Sequence, residues 1–228
     1  MQVKPPRVPR AAQIAFNSTQ GPRVVPGTYT VRLTKGEKTY ETKLDIGLDR
    51  HATFSLADRK AQFDATMKVH AMFGEMSDLV AKINGVKQGI AARSEKLPQG
   101  DATRKTLDAA NDKVDAIRKK IVATKEGGAI TGEQRLREYT DDLYGAVSQY
   151  EGKPGDYLIE RTDALKHELG DVEAEFANFE KTDLPKLNDT LKAKQIDPIT
   201  VAAVVPVEPL SNGGEERRKA YENPFERD

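Results

Sequence analysis

The sequence contains no cysteine and no tryptophan, and aromatic residues make up only 6% of its 228 positions. The absence of cysteine excludes disulfides, thiolate catalysis and cysteine-ligated metals, although it does not assign a compartment. Charge of one sign is also not in excess, because 36 Lys and Arg residues balance 36 Asp and Glu residues. Proteins that bind nucleic acid through its phosphates usually carry a net or clustered basic charge, so we expect no nucleic-acid partner.

Long hydrophobic runs are missing as well. The longest, Ile199 to Val207, is broken by Thr200 and Pro206 and is far shorter than the roughly 20 residues that span a bilayer. The basic residues near the N-terminus are not followed by the apolar segment of a signal peptide. We therefore predict no membrane insertion, and the chain as given shows no export signal.

Two β-type segments follow a proline-rich leader. We interpret residues 1–20 as an extended, basic leader, in which Ala12 to Phe16 fits an edge strand. Within residues 21–50, β-branched and aromatic residues alternate with polar ones on both sides of the polar turn Lys35 to Lys38, which predicts a hairpin. A lone hairpin is only marginally stable in water, and a complete immunoglobulin-like sandwich needs about 100 residues. Residues 21–50 are therefore predicted to be part of an incomplete Ig-like β element.

Helical periodicity dominates residues 56–198. Ser55 is a candidate N-cap for a long first helix from Ala57 to Ala92, and Asp101 begins a second that ends near Lys125. Two further helices are predicted, one opened by a Thr131–Gln134 capping box and one carrying apolar residues from Leu158 to Phe179, with a short extra helix over residues 186–194. Loops of roughly 5 to 9 residues favour an antiparallel four-helix bundle, and the predicted class is α+β, mainly α.

The last segment, residues 199–228, combines an apolar stretch with a charged, glycine-containing end. Val201 to Val207 fits either a strand against the β element or a segment that runs along the helices. From Glu208 onward, Gly213-Gly214 and mixed charges predict a mobile C-terminal tail.

Motifs for chemistry are absent. The three histidines, at positions 51, 70 and 167, fall on separate segments without metal-ligand spacing, and neither a nucleophile elbow nor a phosphate-binding loop occurs. Paired carboxylates such as Asp141-Asp142 are expected by chance among 36 acidic residues. The i,i+4 pairs Asp78–Lys82, Asp115–Lys119 and Glu133–Arg137 are typical of a solvated helix face. We predict no catalytic residue, no metal site and no cofactor.

Two groups of side chains nevertheless suggest binding surfaces. Four tyrosines, at positions 139, 144, 150 and 157, surround the third helix and its exit loop, where a glycan or peptide platform competes with packing at the edge of the core. Met67, Met72, Met76 and Val80 lie at helical spacing on the first helix, where an exposed docking patch competes with a core stripe.

One segment resembles a known family. Gly21 to Leu33, which reads GPRVVPGTYTVRL, is similar to a strand in the C-terminal region of bacterial sortilin-like, BNR-repeat β-propeller proteins, often labelled glycosyl hydrolases. The helical stretches Asp58 to Phe63, Tyr150 to Pro154 and Asp183 to Asn188 are similar to that region as well. The family has Asp-Pro-Arg after the next strand, whereas this chain has Asp49-Arg50-His51.

The resemblance implies a place within a larger architecture rather than an activity. It implies an Ig-like module that follows β-propellers and an exported or periplasmic location, and no catalytic residue of that family falls within this chain. Our leading hypothesis is a non-catalytic accessory module, whose protein partner is the propeller part or a second copy joined through the β edge. A glycan- or peptide-directed hydrolase and a helical partner-binding domain are the alternatives, and no small-molecule ligand is evident.

Overall fold

The N-cap predicted at Ser55 begins the longest helix. In the computed structural model, which describes residues 1–127 and 132–201, α1 spans Leu56–Ser94. The Ser55 hydroxyl accepts from the Asp58 amide at 3.1 Å, and the Asp58 carboxylate accepts from the Ser55 amide at 3.0 Å. This reciprocal capping box satisfies amide donors that the first turn leaves open. The hydrogen bonds also hold the pKa of the Asp58 carboxyl below its usual value.

Four more α-helices and one hairpin complete the described chain. The prediction of a mainly helical chain with a single antiparallel hairpin is confirmed. The helices are α2 (Ala102–Ile121), α3 (Leu136–Gln149), α4 (Asp156–Asn178) and α5 (Leu184–Ala193), and the strands are β1 (Gly27–Lys35) and β2 (Lys38–Ile46). A π-helical turn, Phe179–Asp183, joins α4 to α5 without a break, so the short helix predicted over residues 186–194 begins two residues earlier and continues directly from α4.

The core lies between the helices. α1 contacts α2, α3 and α4, and its apolar stripe is almost fully buried. Phe73 of α1 meets Tyr144 of α3 edge to face, with ring centroids 6.0 Å apart. Because aromatic pairs favour this geometry, the contact defines how α1 and α3 approach each other. None of the helices in the described ranges combines the length and apolar character that a membrane span requires.

The connection between α2 and α3 differs from the prediction. α2 ends at Ile121, because the Glu133 carboxylate accepts the amides of Thr124 and Lys125 at 2.7 and 3.3 Å and stabilises a loop there. The predicted Thr131–Gln134 capping box is wrong, because α3 begins at Leu136. The capping residue in its first turn is Glu138 instead of Gln134, and Glu138 accepts the Arg135 amide at 3.1 Å. Residues 128–131, including Thr131, lie outside the described chain.

The leader packs against the helices instead of adding a strand. Both carboxylate oxygens of Asp78 on α1 accept from Arg7, at 2.7 and 3.0 Å, and the Asp141 carboxylate on α3 accepts the amides of Asn17 and Ser18. The edge strand predicted at Ala12 to Phe16 is wrong, because the Ala12 amide donates to the Ala123 carbonyl in the loop after α2 at 3.1 Å and no strand of the described chain pairs with this segment. The leader is therefore an extended strap across α1 and α3.

The end of the described chain docks at the opposite end of α1. The Ile199 amide donates to Asn188 of α5 at 2.8 Å, and a methyl group at Gly89 would lie 3.0 Å from the Ile199 side chain. Because Gly89 has no Cβ atom, the Ile199 side chain can pack closely against α1. Apart from Val201, the strand predicted at Val201 to Val207 and the predicted tail lie outside the described residues.

Candidate docking face on the hairpin

A two-residue turn sets the register of the hairpin. Lys35 pairs with Lys38 directly across Gly36 and Glu37, and Gly36 has φ 58°. Type II′ turns place glycine at this first central position, because the left-handed backbone carries no penalty without a Cβ atom. The register then continues without a bulge to Gly27 opposite Ile46.

This register sorts the side chains into two faces. Residues directly opposite each other project to the same side of an antiparallel pair. One face, which we call the apolar face, consists of Tyr29, Val31, Leu33, Tyr40, Thr42, Leu44 and Ile46, with Gly27 at the base and Lys35 and Lys38 beside the turn. The opposite, polar face consists of Thr28, Thr30, Arg32, Thr34, Thr39, Glu41, Lys43 and Asp45.

The polar face is tied together by cross-strand bonds. Arg32 donates to Glu41 at 2.7 Å, and Lys43 donates to Thr30 at 2.6 Å. Thr28 donates to Asp45 at 2.6 Å. These exposed contacts each contribute less than about 1 kcal/mol, but together they favour the observed register over a slipped one.

The apolar face is open to solvent. Leu33 is 63% exposed and Tyr40 is 54% exposed, while Val31 and Leu44 are 40% and 43% exposed. Among the described residues, no third strand pairs with either strand edge and no helix packs along the face. An isolated two-stranded hairpin is only marginally stable without further strands or a helix against it. A contiguous apolar surface that is exposed to solvent is also typical of an interaction site.

The base of the hairpin is attached rigidly to the helices. Arg59 in the first turn of α1 is only 5% exposed, and its guanidinium donates to the carbonyls of Arg23 at 2.6 Å and Val24 at 3.2 Å. The Tyr29 hydroxyl donates to the Val25 carbonyl at 2.6 Å. The apolar face is thus presented from a fixed point beside the start of α1.

The histidines do not converge on a site. The described part of the chain contains no group of His, Asp or Glu side chains arranged to hold a metal ion. His70 lies 3.0 Å from the Lys4 carbonyl oxygen and helps to hold the leader, and the backbone amide of His51 bonds Asp49. His167 contacts Asp171 at 3.2 Å.

The carboxylates have structural partners. Asp141 binds the leader, and its neighbour Asp142 is exposed, although partial burial and the charge of Asp141 raise the pKa of Asp142. Of the three i,i+4 pairs, Asp115–Lys119 forms at 2.8 Å. The other two predicted pairs are wrong, because Asp78 binds Arg7 of the leader and Glu133 binds the neighbouring Arg135.

The tyrosines and the methionine stripe are separated or buried. Tyr144 is 1% exposed and donates to the Gln20 carbonyl, whereas Tyr139 lies under the guanidinium of Arg161 at 5.4 Å. No aromatic pair in the described ranges joins two of the four tyrosines. The exposed docking patch predicted on the first helix is contradicted, because Met67 is half-buried and the other three are at most 6% exposed: Met72, Met76 and Val80.

A cavity of about 350 Å³ lies between the leader and α3. Beside it, Arg137 and Glu138 form a pair at 2.6 Å and are 5% and 8% exposed at their side chains. Both residues line the cavity, and the buried Arg137 Nε has no hydrogen-bond partner in the described chain. The arrangement is a buried ion pair that orders the α2–α3 connection, where Glu138 also accepts the Ala123 amide.

The comparisons with known proteins add no relative: no family model matches the chain, and neither a curated protein nor a solved structure matches it. The hairpin face therefore stands on its own geometry. Sequence reasoning predicted the hairpin but missed the two residues that hold its surroundings, Arg59 and Asp141. The sequence marks neither residue, because each is one of 72 charged residues. Each also bonds backbone atoms, which every residue has, so these partners leave no mark in the sequence.

Proposed function

We propose that this chain is a non-catalytic accessory module that docks onto a β-sheet protein through the apolar face of its hairpin. The observation that carries the proposal is the uncovered row of Val31, Leu33, Tyr40 and Leu44 on a two-stranded element. A partner sheet that packs on this row removes it from water and supplies the layer that an isolated hairpin lacks.

The helical part serves as the scaffold, and we propose an antiparallel four-helix bundle for it. In support, α1 contacts each of α2, α3 and α4, and short connections join α1 to α2 and α3 to α4, although residues 122–135 between α2 and α3 form a longer one. Interhelical ion pairs such as Lys120–Glu175 at 2.6 Å lie on the outer faces. A bundle of this kind provides a packed base from which the hairpin projects.

The hairpin itself is proposed to be a fragment of an Ig-like sandwich. In support, its side chains divide into one apolar and one polar face, as in the strands of a sandwich, where the inner face packs about 10 Å from the opposite sheet. The similarity of Gly21 to Leu33 to the propeller-associated module points to the same arrangement. The partner is then the remaining β layer of a larger, exported β-propeller protein.

The size of the face favours a large partner. Two strands of nine residues present roughly 30 by 10 Å, or about 300 Å², which is well below the approximately 800 Å² that each partner contributes to a standard interface. Face-to-face packing of two hairpins therefore buries too little. A larger β-sheet protein can also contact the segment from Arg23 to Tyr29 at the base of the hairpin and so approach the roughly 800 Å² that a standard interface buries on each partner.

Site-specific crosslinking tests the proposal. Benzophenone amino acids are placed at Leu33 on the apolar face and at Thr34 on the polar face, in full-length chain produced in its native cells, and adducts are mapped by mass spectrometry. We expect Leu33 to crosslink to a strand segment of a β-sheet protein and Thr34 to give at least tenfold less of that adduct. Equal yields from both positions, or adducts only to glycan or lipid, would refute the docking face.

A pair of charge variants supplies the second readout. Leu33→Lys places a charge on the apolar face and Thr34→Lys places the same charge one residue away on the polar face. We expect only Leu33→Lys to abolish capture of the crosslinked partner, while both variants keep the helical circular dichroism of the parent chain.

A further inference from the structure

The outer edge of β2 carries a second, independent feature. Lys35 and Lys38 flank the turn as a hydrogen-bonded pair, and hydrogen-bonded and non-hydrogen-bonded pairs alternate from there along the hairpin. In the non-hydrogen-bonded pairs, the backbone N–H and C=O groups of the β2 residue point away from β1. On β2 these outward residues are Thr39, Glu41, Lys43 and Asp45. No other strand within residues 1–127 and 132–201 pairs with this row, and a row of unpaired donors and acceptors is a template for another strand.

The charges on this edge are self-complementary. When two copies of β2 run antiparallel about a twofold axis at Thr42, Glu41 of each copy lies opposite Lys43 of the other. Opposite charges at directly facing positions stabilise a strand pair. Within each copy Glu41 already accepts from Arg32 at 2.7 Å, so the charges alternate from Arg32 through Glu41 to the second copy's Lys43.

Neighbouring registers are disfavoured by the same charges. Centring the pair on Glu41 brings two glutamates together, and centring it on Lys43 brings two lysines together and sets Glu41 against Asp45. Facing like charges are destabilising. The Thr42-centred register is also the one in which all nine residues of Lys38–Ile46 find partners.

The apolar residues agree with this register. It places Tyr40 of one copy opposite Leu44 of the other, so the two apolar faces join on one side of a four-stranded sheet. Sheets of three or more strands with an apolar face reach the stability that a single hairpin lacks. By contrast, the outward residues of β1 contain a single charge, at Arg32, and two β1 edges form no ion pair.

Two of the features that protect edge strands are missing from β2, whose protection is limited to its charged side chains, Lys38, Glu41, Lys43 and Asp45. No proline and no bulge interrupts β2, and its register with β1 is unbroken. Natural edge strands that stay single are usually shielded by such features.

We propose that a second copy of this chain pairs with the outer edge of β2, antiparallel and centred on Thr42, to form a continuous four-stranded sheet. This pairing uses the strand edge and not the apolar face, so it stands whether or not that face docks a β-sheet protein. A single strand pair buries less than a standard interface, and we expect a dissociation constant on the order of 100 µM.

Complementary charge reversals test the register by sedimentation equilibrium. The variant R32E/E41K keeps a reversed ion pair inside the hairpin but places two positive side chains opposite each other at positions 41 and 43 of the two copies, and K43E places two negative side chains there. We expect each variant alone to dimerise at least about tenfold more weakly than the parent chain. Mixed one to one, they restore both ion pairs and should form a heterodimer with the parent affinity.

Two proline variants provide a matched control that leaves charge unchanged. Thr39 and Thr34 face each other across the hairpin, and their amides point outward on the β2 and β1 edges respectively. Thr39→Pro should abolish dimerisation and Thr34→Pro should leave it intact, with equal helical circular dichroism. The proposal fails if the parent chain stays monomeric to about 1 mM, if the mixed charge variants do not associate, or if the two prolines act alike.

Discussion

The guanidinium of Arg59 donates to the carbonyl oxygen of Arg23 at 2.6 Å and so joins the first turn of α1 to the segment that leads into β1. The same side chain bonds Gln62, whose amide donates to the carbonyl of Val147 at the end of α3. This chain of polar contacts links the base of the hairpin to two helices. It explains how a two-stranded element can project from the protein and still keep a fixed base.

Removal of this link should loosen the hairpin base. Arg59→Met keeps the aliphatic stem but leaves the carbonyls of Arg23 and Val24 without a donor, and we expect a loss of about 1–3 kcal/mol in the free energy of unfolding. Urea unfolding measures the loss, and hydrogen exchange should accelerate at Gly27 and Tyr29, whose amides face β2. Lys60→Met, at the exposed neighbouring position, is the control and should change the stability by less than about 0.5 kcal/mol. Equal effects from both variants would contradict the bracing role.

The leader strap should depend on the Asp141 carboxylate. Asp141→Ala removes the acceptor for the amides of Asn17 and Ser18, so we expect faster proteolytic cleavage within residues 10–20 and a stability loss of about 1–3 kcal/mol. Asp142→Ala changes the adjacent, exposed carboxylate and should leave the cleavage rate at the parent value. Timed proteolysis with mass spectrometry measures both rates, and a leader equally protected in both variants would argue against this anchor.

Two helix glycines should respond in opposite directions to alanine. At Gly85 a methyl group meets no atom within 4 Å, so Gly85→Ala should stabilise the protein by about 1 kcal/mol through helix propensity. At Gly145 the methyl carbon would lie 2.6 Å from the side-chain amide of Asn17, which must then give up its bonds to Asp141 and Gln149, so Gly145→Ala should destabilise the protein by about 1 kcal/mol. Thermal unfolding of the two variants checks the sign, and two stabilised variants would mean that the strap does not press on α3.

Acid should weaken the junction of α1 and α2 at Asp115. Burial alone would raise the pKa of this carboxyl, but hydrogen bonds from Lys119, Lys87 and Arg118 outweigh it and hold the pKa well below its usual value. The lowered pKa stabilises the fold above about pH 4, the pKa of an unfolded Asp, and this stabilisation is lost as pH falls toward the folded pKa.

Asp115→Asn tests that pH dependence. We expect the variant to be less stable by about 1–3 kcal/mol at pH 7, because three cations lose a charged acceptor. The difference should shrink between about pH 4 and pH 2, where the unfolded parent chain takes up a proton that folded Asp115 still resists. Urea midpoints across this range provide the measurement, and a difference that stays constant with pH would contradict the assignment.

Local features of this fold could be predicted from sequence. The Ser55–Asp58 cap, the Gly36 turn and the helical spacing of residues such as Met76 and Ile83 each depend on neighbours a few positions apart. The hairpin register follows from the turn, and its alternation already divides the two faces. These are the features in which propensity, pattern and capping agree.

Long-range polar contacts could not be predicted. Asp141 binds Ser18 across 123 positions of sequence and Arg7 binds Asp78 across 71, and the competing i,i+4 partners for Asp78 and Glu133 were equally reasonable from spacing. Leader residues 12–16 were expected to fit an edge strand, but the Ala12 amide bonds the Ala123 carbonyl in the loop after α2, a partner 111 positions away that no local pattern specifies. The openness of the apolar face likewise depends on what does not pack there, which no sequence pattern specifies.

Thiol accessibility at position 33 tests the docking face most directly, because the chain contains no cysteine of its own. Leu33→Cys, Thr34→Cys and Leu165→Cys are labelled with a maleimide in the isolated, monomeric protein, where Leu165 reports the buried core. We predict that position 33 reacts within about threefold of position 34 and at least about 100-fold faster than position 165. A position 33 that reacts as slowly as position 165 would show that the chain covers its own apolar face and would contradict the proposed docking surface.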